Sequence, residues 1–129
     1  MKRLFIAAAI VFALLSCKKE KEAVPAQASV NNTNWHVTMN VTGISFTENI
    51  FEFGGNGNVF AWHIAAGNTY SGSWTQEGST VNFVFKEHTA GGDYFWDNTG
   101  TLSSDGSTLT GTMKRRGVEG SGTFTAKKL

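Results

Sequence analysis

The sequence predicts an all-β domain, an eight-stranded antiparallel up-and-down meander closed into a barrel. Apolar and polar residues alternate with a period of two from Trp35 onward, and no stretch after residue 30 has the apolar stripe of a helix. Turn signals rich in Gly, Asn and Asp recur at short intervals, so neighbouring strands are expected to pair antiparallel. All fifteen glycines lie at Gly43 or later and the single proline is Pro25, so no proline interrupts the predicted ladders.

Residues 1–16 have the pattern of a secretory signal peptide. A basic start with Lys2 and Arg3 precedes a twelve-residue apolar stretch from Leu4 to Leu15. This stretch is shorter than the roughly 20 residues that a membrane-spanning helix needs. A short anchor helix that is not cleaved is the alternative.

The end of this stretch, Leu14-Leu15-Ser16-Cys17, resembles the lipobox of bacterial lipoproteins. The resemblance implies that the signal is cleaved before Cys17, that the Cys17 sulfur is diacylated with chains such as palmitate, and that the new N-terminus is acylated. Two or more acyl chains hold a protein stably on a bilayer. We therefore expect a lipid-anchored protein of the bacterial outer membrane, on the periplasmic face or at the cell surface; an ordinary free cysteine is the alternative. As the only cysteine, Cys17 excludes an internal disulfide and a Cys-only metal site.

Residues 17–32 are predicted to be the lipidated cysteine and a flexible linker. The mixed charges from Lys18 to Glu22 are typical of a solvated tether, and they also resemble the signal that sends some Gram-negative lipoproteins to the cell surface. The residues from Ala23 to Asn32 show little apolar periodicity. Without the signal, nine basic residues face ten acidic ones, which argues against nucleic acid or another strongly charged partner.

The predicted barrel domain spans residues 33–129. Alternation is clear where Val81, Phe83 and Phe85 share one face of a strand, and β-branched and aromatic residues dominate throughout. The expected strands cover residues 34–42, 43–53, 58–65, 69–76, 80–88, 93–103, 107–115 and 120–127. Turn signals lie at Glu48-Asn49, Gly54 to Gly57, Gly67-Asn68, Glu77-Gly78, Gly91-Gly92, Asp105-Gly106 and Gly117 to Gly120.

A motif of hydroxyl residue, glycine, hydroxyl residue and apolar residue recurs along these strands. It places the glycine and the apolar residue on one face, where the glycine gives room to a bulky neighbour and lets the strand bend. Repeated bends coil a sheet into a closed barrel, which leaves no strand edge unpaired; an open or sandwich-like sheet is the alternative. The motif occurs as Ser71-Gly72-Ser73-Trp74, Thr99-Gly100-Thr101-Leu102, Thr110-Gly111-Thr112-Met113 and Ser121-Gly122-Thr123-Phe124.

Residues 30–129 resemble the lipocalin-like barrels of the calycin group. The resemblance rests on the export signal, the eight-strand meander, Trp35 on the first strand and the closing sequence Ser121 to Leu129. It implies a barrel that binds a small apolar, lipid-like molecule at its open end. The alternative is a barrel filled by its own side chains, acting as a surface interaction or inhibitor module through loops such as Thr89–Asp93 and Gly117–Gly120.

The side chains expected inside the barrel are large and mostly aromatic. An interior void of roughly 300 Å³ or more would indicate a ligand site rather than a filled core. The candidate ligand-binding residues are Trp35, Phe53, Phe60, Trp62, Tyr70, Trp74, Phe83, Phe85, Trp96 and Met113, together with Arg115. The rest of the expected interior is Val37, Met39, Ile44, Phe46, Phe51, Val81, Leu102, Leu109 and Phe124.

The positions of Arg115 and His63 in their strands predict whether their side chains point into or out of the barrel. Arg115 is in phase with Met113, so it could turn into one barrel mouth and pair with a ligand carboxylate, or else stay solvated among its basic neighbours. His63 is out of phase with Phe60 and Trp62, so it is expected to face outward.

Motifs for catalysis and metal binding are missing from the sequence. The three histidines, His36, His63 and His88, are scattered without the spacing of metal ligands. The sequence has no Gly-X-Ser-X-Gly elbow and no phosphate-binding loop before a helix. We therefore predict a protein that is not an enzyme and has no metal or cofactor.

Overall fold

The structure, a computed structural model, describes residues 25–64, 67–89, 91–117, 119 and 121–129. The predicted signal peptide, the lipidation site Cys17 and the charged tether lie outside these residues. Eight strands form, and every predicted strand is confirmed to within two residues at each end. They are β1 (Thr33–Val41), β2 (Ile44–Phe53), β3 (Asn58–His63), β4 (Asn68–Glu77), β5 (Thr80–Thr89), β6 (Gly92–Leu102), β7 (Thr108–Arg115) and β8 (Ser121–Lys128).

The sheet closes on itself. Each strand pairs antiparallel with the next, and β8 pairs with β1. The predicted up-and-down barrel is therefore confirmed, and an open or sandwich-like sheet is excluded. Within the part of the chain that the structure describes, no helix is long and apolar enough to cross a bilayer.

Inner-face glycines of the recurring motif let neighbouring strands come unusually close. A Cβ atom at Gly72 would lie 1.6 Å from the carbonyl oxygen of Val84, and one at Gly122 would lie 2.4 Å from the carbonyl oxygen of Asn40. Both distances are far below van der Waals contact, so only glycine fits without moving the backbone of the next strand. The close approach of the next strand is therefore the reason for glycine at these two positions.

The other two motif glycines make room for an aromatic ring. Gly100 and Gly111 face each other across β6 and β7. A Cβ at Gly100 would lie 3.0 Å from the ring of Phe124, and one at Gly111 would lie 2.8 Å from it. The Phe124 ring therefore lies where two side chains would otherwise stand.

The first hairpin differs from the prediction. The turn is at Thr42-Gly43, where both residues have positive φ, 48° and 83°, as a tight two-residue hairpin turn requires. The predicted turn at Glu48-Asn49 is wrong, because these residues lie inside β2. The register between β1 and β2 shifts between Val37 and Met39 of β1. Opposite this point β2 holds one extra residue in a β-bulge. The bulge reverses which residues of β2 point into the barrel.

One end of the barrel, the plugged end, is closed by residues 28–32 together with the β2–β3, β4–β5 and β6–β7 connections. Val30 is fully buried there, and its amide donates to Oε1 of Gln76 at 3.1 Å. The Gln76 Nε2 in turn donates to the carbonyl oxygen of Ala28 at 2.8 Å. Next to this plug, the indole Nε1 of Trp35 donates to Oγ1 of Thr33 at 2.7 Å. The last residues of the predicted linker are thus part of the core.

A cluster of five phenylalanine rings crosses the middle of the barrel. Phe83 lies at its centre, with ring centroids 5.6 Å from Phe51, 5.4 Å from Phe53, 5.3 Å from Phe85 and 5.5 Å from Phe124. All four contacts have the steep interplanar angles that aromatic pairs favour. This Phe cluster fills the barrel from wall to wall and separates the plugged end from the other end, which we call the open end.

We predict that Gly111→Ala lowers the free energy of unfolding by about 1–3 kcal/mol or more, because the new methyl group overpacks the site. The methyl would lie 2.1 Å from the carbonyl oxygen of Thr99 as well as against Phe124. Denaturant unfolding measures the change. The neighbouring Thr112→Ser, on the exposed face, is the control and should change the value by less than about 0.5 kcal/mol. Equal stability of the two variants would contradict the role given to the inner-face glycines.

Candidate ligand-binding site

A cavity of about 430 Å³ occupies the open end of the barrel. The rings of Phe51 and Phe85, at the edge of the Phe cluster, form its floor. The wall is mainly apolar and aromatic, with a few polar side chains. The lining residues are Met39, Val41, Phe46, Asn49, Phe51, Ala61, Trp62, His63, Asn68, Tyr70, Phe85, Glu87, Trp96 and Met113.

The polar side chains are concentrated on the β4, β5 and β6 side of the wall. The indole Nε1 of Trp96 donates to Oε2 of Glu87 at 2.8 Å, which fixes the ring beside the carboxylate. Burial raises the pKa of the Tyr70 hydroxyl above 10.0, and the negative charge of Glu87 raises it further, while a hydrogen bond from Asn68 opposes both. The charge of Glu87 thus acts on the Tyr70 hydroxyl within one cavity.

Two buried asparagines support the backbone beside the cavity and beneath it. The Nδ2 of Asn49, next to the bulge of β2, donates to the carbonyl oxygens of Phe46 at 3.0 Å and Val37 at 3.3 Å. The Nδ2 of Asn98 donates to the carbonyl oxygens of Trp96 and Phe83 at 3.0 and 3.2 Å. Buried carbonyl groups need such partners, so the amide groups of these two residues have a structural role.

Arg115 lies at the rim of the open end. Its guanidinium carbon is 3.7 Å from the ring centroid of Tyr94 and 5.9 Å from that of Trp96, which is cation–π geometry. Its Nε is buried and has no hydrogen-bond partner among the described residues. Arg115 therefore packs against two rings at the rim but does not line the cavity, and its pairing with a ligand carboxylate stays a prediction. Its neighbour Arg116 is exposed and pairs with Asp97 at 2.6 Å.

The predicted ligand-binding residues are divided by the Phe cluster. Five of them border the cavity: Trp62, Tyr70, Phe85, Trp96 and Met113. Four others, Trp35, Phe53, Trp74 and Phe83, pack within the Phe cluster or between it and the plugged end. Of the two predicted alternatives, a filled barrel and a hollow one, each describes one half of the structure. The half at the plugged end is filled, and the other half is open.

The phase of β3 reverses two expectations. Phe60 was expected inside but faces outward with 46% of its surface exposed, because the inner face of β3 carries Val59 and Ala61. His63 shares their phase, so it borders the cavity instead of facing outward, and its ring meets Phe46 edge-on at 5.9 Å.

A second expected interior residue, Ile44, lies at the rim and is 60% exposed.

Several lining residues were not among the predicted ligand-binding residues. Glu87 follows Val81, Phe83 and Phe85 in strict alternation, so its inward direction could have been found from the period alone. Asn49 is likewise in phase with Phe51 and Phe53, but the turn predicted at Glu48-Asn49 left it out of the strand. The others are Met39, Val41, Phe46, Phe51, Ala61, His63 and Asn68.

Comparisons with protein-family models, with curated proteins and with solved structures found no match to this chain. The closed eight-stranded antiparallel barrel is consistent with a lipocalin-like fold.

We predict that Glu87→Gln lowers the pKa of Tyr70, because it removes the second of the two effects that raise it. Spectrophotometric titration of Tyr70 in a Tyr94→Phe background measures this, since the chain has two tyrosines. Burial remains in the variant, so the pKa should stay above 10.0. A raised folded-state pKa also means that the contribution of Tyr70 to stability is complete below about pH 10 and is lost as the pH rises through the folded-state pKa.

The control for this titration is Glu77→Gln, an exposed carboxylate at the plugged end of β4. It should leave the Tyr70 pKa unchanged. A Tyr70 pKa that is the same in the Glu87 variant and in the control would contradict the shared cavity.

Proposed function

We propose that the protein binds a small, mainly apolar molecule in the open-end cavity. The observation that carries the proposal is the cavity itself, whose volume of about 430 Å³ lies within the about 300–1,000 Å³ typical of small-molecule sites. Its wall combines aromatic and aliphatic side chains with a few polar groups, the composition by which such sites bind and orient a ligand. The consistency of the barrel with the lipocalin-like fold supports the same function by analogy.

The proposed affinity comes from apolar surface that leaves water. A ligand resting on Phe51 and Phe85 would bury its apolar part against rings that pack rigidly in the Phe cluster, and each Å² removed from water contributes about 25 cal/mol. Because the closed sheet already holds the wall in place, little ordering is needed on binding. The polar groups on the β4, β5 and β6 side would then orient the ligand.

We further propose that acylated Cys17 holds the protein at the bacterial outer membrane. The lipobox resemblance supports this, and so does the direction from which the chain enters the barrel. Residues 28–32 pack at the plugged end, so the described N-terminal segment enters at the end opposite the cavity mouth. An anchor on this segment would leave the mouth free for a ligand that arrives from the aqueous side. The alternative function as an interaction or inhibitor module through loops remains a prediction.

A side chain that fills the cavity should weaken binding of an uncharged apolar fluorophore such as N-phenyl-1-naphthylamine. We expect Ala61→Phe, on the buried cavity wall, to weaken binding at least about tenfold, a loss of roughly 1.4 kcal/mol. Probe fluorescence and quenching of tryptophan emission measure it. The control Thr125→Phe adds the same ring on the exposed face of β8 and should bind as the unaltered protein does.

A folding check accompanies this test, since a large residue at a buried site can destabilise the barrel. If Ala61→Phe does not fold, Met39→Phe on the same wall takes its place. Absence of binding by the unaltered protein, or equal binding by all variants, would disprove the proposed function.

Removal of the lipidation site should release the protein from the membrane. Cys17→Ser, expressed with the complete signal in a Gram-negative host, is expected to lose metabolic labelling with palmitate and to move from the membrane fraction to the soluble fraction. Ser16→Ala keeps the cysteine and is the control that should stay membrane-bound. A Cys17→Ser protein that remains in the membrane fraction would contradict the proposed anchor.

A further inference from the structure

We propose that the ligand of the open-end cavity carries a cationic head group, an amine or a quaternary ammonium, which binds between the Glu87 carboxylate and the aromatic wall. This inference rests on the proposed function and specifies the chemical class of the ligand. It starts from the charges and rings that a bound molecule would meet.

Among the described residues that line the cavity, Glu87 is the only carboxylate, and there is no lysine or arginine. Glu87 accepts a hydrogen bond from the neutral indole of Trp96. The ion pairs formed among the described residues join Lys86 and His88 to Asp93 and Arg116 to Asp97, so none of them involves Glu87. A half-buried carboxylate without a cationic partner is costly to desolvate further, and a cation entering the cavity would offset that cost.

Aromatic rings surround the same space. Trp96 and Tyr70, on inner-face positions of β6 and β4, border the cavity together with Phe46 and Phe85. The negative faces of such rings attract cations, and quaternary ammonium groups are commonly bound among several of them. The hydrogen bond from Trp96 to Glu87 places an indole next to the carboxylate, so that one cation could contact both. The effect of Glu87 on Tyr70 is consistent with a negative potential inside the cavity.

An anionic head group would need Arg115 as its charged partner. This residue is engaged with the ring of Tyr94 and borders a separate surface groove that it shares with Asp97, Lys114, Arg116 and Glu119. Arg115 is not among the residues that line the cavity, whereas the carboxylate of Glu87 is on its wall. The cavity thus favours a cation over an anion.

The test compares three molecules that differ only in the head group: decyltrimethylammonium, decanoate and decanol, each below its micelle concentration at neutral pH. Calorimetry or tryptophan quenching gives the dissociation constants. We expect the ammonium compound to bind about tenfold tighter than decanol, with decanoate the weakest. In Glu87→Gln the ammonium compound should fall to the affinity of decanol, while decanol itself is unchanged.

Two features make the variant a fair test. The glutamine side chain keeps an oxygen that can accept from Trp96, and Glu77→Gln at the plugged end removes an equal charge without touching the cavity. The control should retain the ammonium preference. Circular dichroism and thermal unfolding verify that both variants fold.

The outcomes separate the inference from the function on which it rests. Tightest binding of decanoate, lost in Arg115→Gln, would overturn the cationic ligand but leave the apolar site intact. An ammonium preference that survives Glu87→Gln would overturn the role of Glu87. Failure of all three molecules to bind, decanol included, would remove the proposed function itself.

Discussion

The rest of the structure depends on close backbone contact where inner-face glycines meet a neighbouring strand. At Gly72, Gly111 and Gly122 an added Cβ would lie between 1.6 and 2.4 Å from a carbonyl oxygen. These contacts allow a ribbon of eight short strands to curl until β8 meets β1. Closure brings Phe124 over the Gly100–Gly111 pair, and there its ring completes the Phe cluster. The floor of the cavity therefore follows from the same glycines that close the sheet.

The sizes of the inner side chains on the two sides of the Phe cluster explain why the barrel is filled in one half and open in the other. Toward the plugged end the inner positions carry large side chains such as Trp35 and Leu109, and the chain segment around Val30 packs beneath them. Toward the open end the inner positions include Val41, Ala61 and Gly122, which are too small to meet across the barrel. None of the described side chains fills that space, and the packed walls keep it from collapsing.

The bounds of the strands could be predicted almost completely from the sequence, because most strands alternate and end at a turn signal. The interior was predicted less well, since one residue of error in phase moves every side chain to the other face. In β3 the large side chains of Phe60 and Trp62 suggested an inner face, whereas the small Val59 and Ala61 occupy it. In β2 the bulge changes the phase midway, and only pairing with β1 reveals it.

Polar residues on the inner face form two groups, those that form hydrogen bonds to the backbone and those that do not. Asn49 and Asn98 each donate to two backbone carbonyl oxygens, so their side chains tie neighbouring stretches of backbone together. Glu87 satisfies no backbone group, and its bond to Trp96 could be made equally well by a neutral amide. A charge at this position costs free energy of desolvation and does not stabilise the fold. Residues that lower stability without a role in the fold are expected at functional sites. Glu87 is such a residue, and it lies on the wall of the half of the barrel that is not filled.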